Sequence, residues 1–107
     1  MCGIFGITDN KDAAKLAYVG LFTLQHRGQE SAGIVSDAGG ALRHHAGMGL
    51  VSEVFDRDTL DALGGRSAIG HIRYSTTGSS HIKNAQPLVL NSCLGPVAVA
   101  HNGNLTN

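Results

Sequence analysis

Cys2 is the residue whose type and position most directly suggest chemistry. It follows Met1, and a small residue at position 2 normally allows the initiator methionine to be removed. The thiol would then lie beside a free α-amino group, whose reference pKa of about 7.7–8.0 leaves part of it unprotonated at neutral pH. A nucleophile and its general base would share one residue. A buried strand thiol is the competing interpretation, since free cysteine is among the most buried residue types.

Two further sites carry groups suited to binding a carboxylate and an oxyanion. Arg73 follows an apolar run, and its guanidinium can bind a carboxylate in a bidentate manner. Taken alone, a surface arginine at a strand end explains it more simply. Asn102 and Gly103 offer a side-chain amide and a backbone N–H that can converge on one point, as in an oxyanion hole. The same dipeptide is typical of a type I′ turn.

The six histidines do not predict a metal site. His44 and His45 are adjacent, so in a strand they point to opposite faces and cannot both bind one ion. The chain has no HxxxH or HxH spacing. Its two cysteines, Cys2 and Cys93, lack the CxxC spacing of zinc sites and do not form a disulfide framework. No metal ligand is therefore expected.

The composition limits the class of protein. The 107 residues fit one domain at most, and a hydrophobic content of 42% allows a core. Eight basic residues balance eight acidic ones, so neither nucleic acid nor an anionic membrane is an expected partner. No apolar stretch is long enough to span a bilayer, and the N-terminus lacks the features of a secretory signal. We expect a cytoplasmic protein with reduced thiols.

Short strands and helices must position these residues. Apolar and β-branched runs predict strands at residues 3–8, 31–36, 41–46, 67–74, 87–91 and 96–101. Apolar residues at helical spacing predict helices at 12–26 and 52–62, the second capped by Ser52. Strands outnumber helices and are largely apolar, which predicts an α+β fold with a sheet covered on one or both faces.

Four segments in this order resemble the class II glutamine amidotransferases, which are N-terminal-nucleophile hydrolases. They are CGI at 2–4, LQHRGQESAG at 24–33, GHIRYSTTG at 70–78 and AHNGNL at 100–105. The second segment is most similar to the amidophosphoribosyltransferase family. The fructose-6-phosphate amidotransferases are a weaker match, since they usually have Tyr-Arg-Gly-Tyr-Asp in the second segment and Arg-Trp-Ala-Thr-His in the third.

The resemblance implies a role for each candidate residue. Cys2 would attack the side-chain amide of glutamine, and Arg73 would bind the α-carboxylate of the substrate. Asn102 and Gly103 would stabilise the tetrahedral oxyanion. The other implied roles are support of the N-terminal residue by Arg27 and Gly28 and lining of the glutamine pocket by Tyr74, Ser75, Thr76 and Thr77.

The resemblance also implies an architecture and partners. Residues 1–107 would be the N-terminal part of a glutaminase domain, within a four-layer α/β/β/α sandwich of antiparallel sheets. In the family, ammonia passes to a phosphoribosyltransferase domain and displaces pyrophosphate from phosphoribosyl pyrophosphate, giving 5-phosphoribosylamine for purine synthesis. The expected partners are L-glutamine and, through that further domain, phosphoribosyl pyrophosphate, in a homo-oligomeric enzyme. No cofactor is expected in this segment, Mg²⁺ is expected in the further domain, and an iron–sulfur cluster is left open.

Two alternatives remain at this point. One is an amino-sugar amidotransferase of the same class. The other is a catalytically incomplete piece, because the family's glutaminase domain continues beyond position 107 and half of a sandwich exposes sheet edges and a core face. We therefore expect the isolated chain to be inactive, and its hydrolysis of glutamine would decide the matter.

Overall fold

A computed structural model of the chain describes residues 2–25, 29–74 and 85–102. Within these ranges, strands outnumber helices, as the sequence predicts. In chain order the elements are β1 (Gly3–Ile7), α1 (Ala13–Leu24), β2 (Ser31–Ala38), β3 (Ala41–Met48), α2 (Val51–Val54), α3 (Arg57–Leu63), β4 (Ser67–Arg73), β5 (Leu88–Ser92) and β6 (Gly95–Val99).

Four of these strands form an antiparallel sheet in the order β1-β4-β2-β3. β1 pairs with β4 so that Gly3 lies opposite Ile72 and Ile7 lies opposite Ala68. β4 also pairs with β2, which forms a hairpin with β3. A separate antiparallel pair is formed by β5 and β6. Because β4 lies between β1 and β2, both of its edges are held by backbone hydrogen bonds.

The helices cover one face of the four-stranded sheet. Ile34 of β2 and Ile72 of β4 are fully buried on this face, in a cluster with Ala17 and Leu21 of α1 and with Val51 of α2. The amphipathic pattern of residues 12–26 predicts such a buried stripe. The hydrophobic core therefore lies between the helices and the sheet.

Two glycines allow α1 to pack closely on the sheet. A Cβ atom at Gly20 would overlap the ring of Phe5 in β1. A Cβ atom at Gly70 of β4 would lie 2.8 Å from a methyl carbon of Leu21. Since side chains alternate along a strand, His71, the residue after Gly70, points to the opposite face.

The β5–β6 sheet contacts that opposite face. The carbonyl oxygen of Gln86, two residues before β5, lies against Gly33 of β2, where a Cβ atom would overlap it. Nε2 of His71 forms a hydrogen bond with the backbone carbonyl oxygen of His101, which follows β6. The described residues thus form a helical layer, a sheet and a second sheet, which confirms the predicted α+β class with antiparallel sheets. Of the four expected layers, the second helical one is not found within the described ranges.

The prediction of a single helix at 52–62 is wrong, because two short helices occupy this region. Phe55 leaves the helical conformation and buries its ring in the core with 3% exposure. Asp56 then caps the N-terminus of α3, and its carboxylate accepts a hydrogen bond of 2.8 Å from the backbone N–H of Thr59. Ser52 lies inside α2 and is not the cap that the sequence suggested. A buried aromatic residue and an aspartate cap therefore divide the helical segment.

The other elements agree with the predictions within one or two residues at most ends. The β2–β3 hairpin is longer than predicted and turns at Gly39 and Gly40, whose φ angles of 70° and 92° favour glycine. No helix within the described residues is long and apolar enough to cross a membrane.

Gly20→Ala is expected to destabilise the chain, although alanine has the higher helix propensity by about 1 kcal/mol. The added methyl group must displace the Phe5 ring, and overpacking typically costs about 1–3 kcal/mol. The midpoint of urea unfolding should therefore fall. Gly6→Ala is the matched control, since a Cβ atom there lies 3.7 Å from Ile69 in ordinary contact. A midpoint for Gly20→Ala equal to that of the control would contradict this packing.

Candidate active site

The register of β1 and β4 brings Cys2 and Arg73 to the same end of the sheet. Gly3 is opposite Ile72, so Cys2, one residue earlier, is next in register to Arg73, one residue later. Paired Cα atoms in antiparallel strands are about 4.5–5.5 Å apart. Gly3 faces the helices, where a Cβ atom would contact Ile72 and Leu24. Alternation therefore directs Cys2 and Arg73 toward the face that the β5–β6 sheet covers.

The second of the four segments, residues 24–33, is hydrogen-bonded to the end of β4 that carries Arg73. The backbone N–H of Glu30 donates a hydrogen bond of 2.8 Å to the carbonyl oxygen of Arg73. The side-chain amide of Gln29 donates to the carbonyl oxygens of Ser31 and Gly49, at 2.6 and 2.7 Å. The segment before β2 therefore fixes the backbone at Arg73, a supporting role that the sequence alone did not reveal.

Asn102 is attached to this region through His101. Nε2 of His71 lies 3.2 Å from the carbonyl oxygen of His101. His71 and Arg73 are two residues apart on one face of β4, a separation of about 6.8 Å. Asn102 is exposed and follows His101 directly. Cys2 and Arg73 thus lie at one end of the main sheet, and Asn102 directly follows the residue whose backbone contacts His71 of β4.

The remaining predicted site residues are placed differently or fall outside the described ranges. Tyr74 packs against the hydrophobic core cluster on the helical side. Its role in lining a glutamine pocket stays a prediction. Six other residues with predicted roles lie outside the described ranges. They are Arg27, Gly28, Ser75, Thr76, Thr77 and Gly103.

A cavity between the sheets opens at the end opposite to Cys2. It has a volume of about 470 Å³ and lies between the far ends of β1 and β4 and the start of β6, where Thr8, Ser67 and Pro96 contribute to its lining. Of the candidate site residues that the structure describes, none lines this cavity. Within the described parts of the chain, no group of three or more histidine, cysteine or carboxylate side chains could hold a metal ion.

His71 is buried and neutral at physiological pH. Its side chain is only 1% exposed, and burial lowers its pKa from 6.5 to about 4. The hydrogen bond to the His101 backbone raises this pKa, while electrostatic interactions with His101 and Arg73 lower it further. Since a carbonyl oxygen only accepts, Nε2 carries the proton and Nδ1 is the unprotonated nitrogen. Nδ1 has no hydrogen-bond partner among the described residues.

The buried state of His71 predicts a pH dependence of stability. Between pH 6.5 and about 4 the unfolded chain binds a proton at this residue that the folded chain does not, so the free energy of unfolding falls as the pH falls. The full effect is on the order of 3 kcal/mol and levels off below about pH 4. His71→Gln should remove this contribution. Urea unfolding of both chains across the window measures it, and two parallel curves would contradict a buried neutral His71.

Curated relatives match the chain over its whole length. An amidophosphoribosyltransferase from Synechocystis is 60% identical over 107 residues, which are 99% of this chain and 22% of the relative. The amidophosphoribosyltransferase of Bacillus subtilis is 50% identical over 99% of this chain and 22% of its own length. The chain therefore spans about a fifth of these relatives. No protein-family model matches it.

Solved structures agree with this sequence similarity. The chain superposes on glutamine phosphoribosylpyrophosphate amidotransferase from Bacillus subtilis, complexed with ADP and GMP, with a TM-score of 0.84. The two are 46% identical over 98% of this chain and 22% of that one. A structure described as the allosteric regulatory enzyme of purine biosynthesis gives a TM-score of 0.82 at 44% identity, over 92% of this chain and 21% of that one.

Sequence and fold thus lead to the same group of proteins. Identities of 50–60% cover nearly every residue of the chain, including the segments that carry Cys2, Arg73 and Asn102. The superposition extends over both sheets. The chain belongs to the amidophosphoribosyltransferase family and corresponds to the N-terminal part of its members.

Proposed function

We propose that this chain carries the glutamine-hydrolysing site of an amidophosphoribosyltransferase. The observation that supports this most directly is the pairing of β1 with β4, which puts an N-terminal cysteine next in register to an arginine on the covered face of the sheet. A nucleophile beside a carboxylate-binding group is suited to a substrate with both an amide and an α-carboxylate. L-Glutamine has both groups.

The chemistry follows from the groups on the N-terminal residue. The α-amino group of Cys2 accepts the thiol proton, and Sγ attacks the side-chain carbonyl carbon of glutamine. The oxygen of the tetrahedral intermediate carries the negative charge, which Asn102 and Gly103 stabilise by donating hydrogen bonds. When the C–N bond breaks, the proton goes to the nitrogen, which leaves as ammonia. Water then hydrolyses the thioester to glutamate and restores the thiol.

The ammonia is consumed in the whole enzyme, by its reaction with phosphoribosyl pyrophosphate to form 5-phosphoribosylamine. The names of the similar proteins support this substrate. The proposed enzyme is homo-oligomeric and cytoplasmic. Two similar amidophosphoribosyltransferases from Arabidopsis are named as chloroplastic. An amino-sugar product is less well supported, because the relatives cited above are amidophosphoribosyltransferases.

The proposed site needs more than the isolated chain for activity. The second sheet leaves large apolar side chains open to solvent, including Leu90 at 58% exposure and Val97 at 42%. Such a surface normally packs against another layer. Functional tests therefore use a chimera in which this chain replaces the matching segment of the Synechocystis relative, which is 60% identical to it. We refer to this protein as the chimera.

Cys2→Ala in the chimera should abolish glutamine-dependent synthesis of phosphoribosylamine, because the nucleophile is lost. Synthesis from free ammonia should remain, since that reaction does not use Cys2. Cys93→Ala is the matched control, because Cys93 is exposed in the turn between β5 and β6. It should leave both activities unchanged. The intact mass of the active chimera should lack Met1, and an active protein that retains Met1 would refute the mechanism.

Arg73→Lys in the chimera should raise the KM for glutamine with little change in ammonia-dependent activity. A point charge replaces a bidentate fork, and a charged hydrogen bond is typically worth about 1.5–3 kcal/mol, or roughly ten- to a hundredfold in KM. Arg66→Lys is the control, since Arg66 lies before β4 in an exposed ion pair with Asp9. Unchanged kinetics in Arg73→Lys would remove Arg73 from glutamine binding.

A further inference from the structure

The backbone of His101 is held at both its N–H and its carbonyl oxygen. The backbone N–H of His101 donates a hydrogen bond of 2.7 Å to Oε1 of Gln86. Its carbonyl oxygen accepts from Nε2 of His71 at 3.2 Å. One contact comes from the segment before β5 and the other from β4. We call this arrangement of His71, Gln86 and the His101 backbone the His101 clamp.

We propose that His71 and Gln86 are positioning residues that fix the His101 backbone and thereby aim the Asn102 amide at the oxyanion. This inference rests on the proposed function, in which Asn102 stabilises the tetrahedral intermediate. In this proposal neither the His71 nor the Gln86 side chain contacts the substrate. Each acts through the backbone one residue before Asn102.

His71 is suited to this role by its burial. A side chain that is 1% exposed inside a central strand has little freedom to move. Its neutral form, favoured by a pKa of about 4, keeps one proton on Nε2 and adds no positive charge beside Arg73. The donor that holds the His101 carbonyl is therefore present throughout the physiological pH range.

Gln86 is held by the same part of the sheet. Its carbonyl oxygen lies against Gly33, a position where any side chain would displace it. Gly33 is the residue opposite His71 in the pairing of β2 with β4. Both members of the clamp are thus supported by one cross-strand pair. The lack of a Cβ atom at Gly33 is what allows Gln86 to reach the N–H of His101.

Asn102 requires such support because the sheet does not hold it. β6 ends at Val99, and Asn102 is exposed three residues later. An oxyanion donor is effective only when it is oriented before the charge develops. A misplacement of about 1 Å can cost about a hundredfold in rate. Two hydrogen bonds to the backbone of the preceding residue supply this orientation without occupying the Asn102 side chain.

Amide hydrogen exchange in the chimera tests whether the clamp exists, independently of any activity. The His101 N–H should exchange slowly, although it lies beyond the last strand. Gln86→Met removes the acceptor while keeping the side-chain length, and should speed exchange at His101 at least tenfold. Gln86→Glu keeps an acceptor and should preserve much of the protection. An unprotected His101 N–H in the unmodified chimera would refute the clamp.

Kinetics in the chimera test whether the clamp positions Asn102. His71→Leu removes the donor and should lower kcat for glutamine about ten- to a hundredfold with a small change in KM. His71→Gln places an N–H near the position of Nε2 and should recover much of that loss. Ammonia-dependent activity should be unchanged in both variants, which shows that the phosphoribosyltransferase domain of the chimera is intact.

A double-mutant cycle separates positioning from general damage. In a chimera that already carries Asn102→Ala, adding His71→Leu should cause little further loss of kcat, because the residue being positioned is gone. If the kcat of the double variant falls by the product of the two single losses, His71 does not act through Asn102. An unchanged kcat in His71→Leu alone would also refute the proposal. The proposed function fails separately, if Cys2→Ala retains glutamine-dependent activity. In that case a protected His101 N–H would show the clamp to be structural only, and the positioning role would be refuted.

Discussion

The antiparallel pairing of β1 with β4 determines where Cys2 and Arg73 lie. Gly3 is opposite Ile72, and each step along the strands alternates between the helical face and the face toward the second sheet. A slip by one residue would turn Cys2 toward the helices and away from Arg73. The register is held because one face is a hydrophobic core, in which Ile72 is fully buried. The same packing that stabilises the fold therefore selects the face on which the thiol appears.

Close approach between layers is the second condition, and it explains several glycines at sheet positions. Gly70 makes room for Leu21 on the helical face, while Gly33 makes room for the Gln86 carbonyl on the other face. The helix and the second sheet can then approach β4 and β2 from opposite sides. His71 lies at the centre of this arrangement and joins the β4 strand to the segment that carries Asn102. Fold stability and site geometry thus depend on the same few contacts.

Much of this could be predicted from the sequence because the signals are local. Apolar runs gave the strands, helical spacing gave α1, and the four motifs gave the family. The break at Phe55 and Asp56 could not be predicted in this way, since it depends on an aromatic ring finding a place in a core that only the tertiary structure creates. The contacts of His71 and Gln86 with His101 could not be predicted for a similar reason. Their partner, His101, is 30 and 15 residues away in sequence, and no local pattern marks those contacts.

The central claim is that the sheet register makes Cys2 the thiol that meets glutamine. Incubating the chimera with an electrophilic glutamine analogue and mapping the adducts by mass spectrometry tests this directly. Cys93 provides an internal control, because it is the more exposed of the two cysteines in this chain. The account predicts that the analogue labels Cys2, that glutamine slows this labelling, and that Cys93 reacts only at the rate of an ordinary exposed thiol. Equal labelling of both cysteines, or labelling of Cys2 that glutamine does not slow, would contradict it.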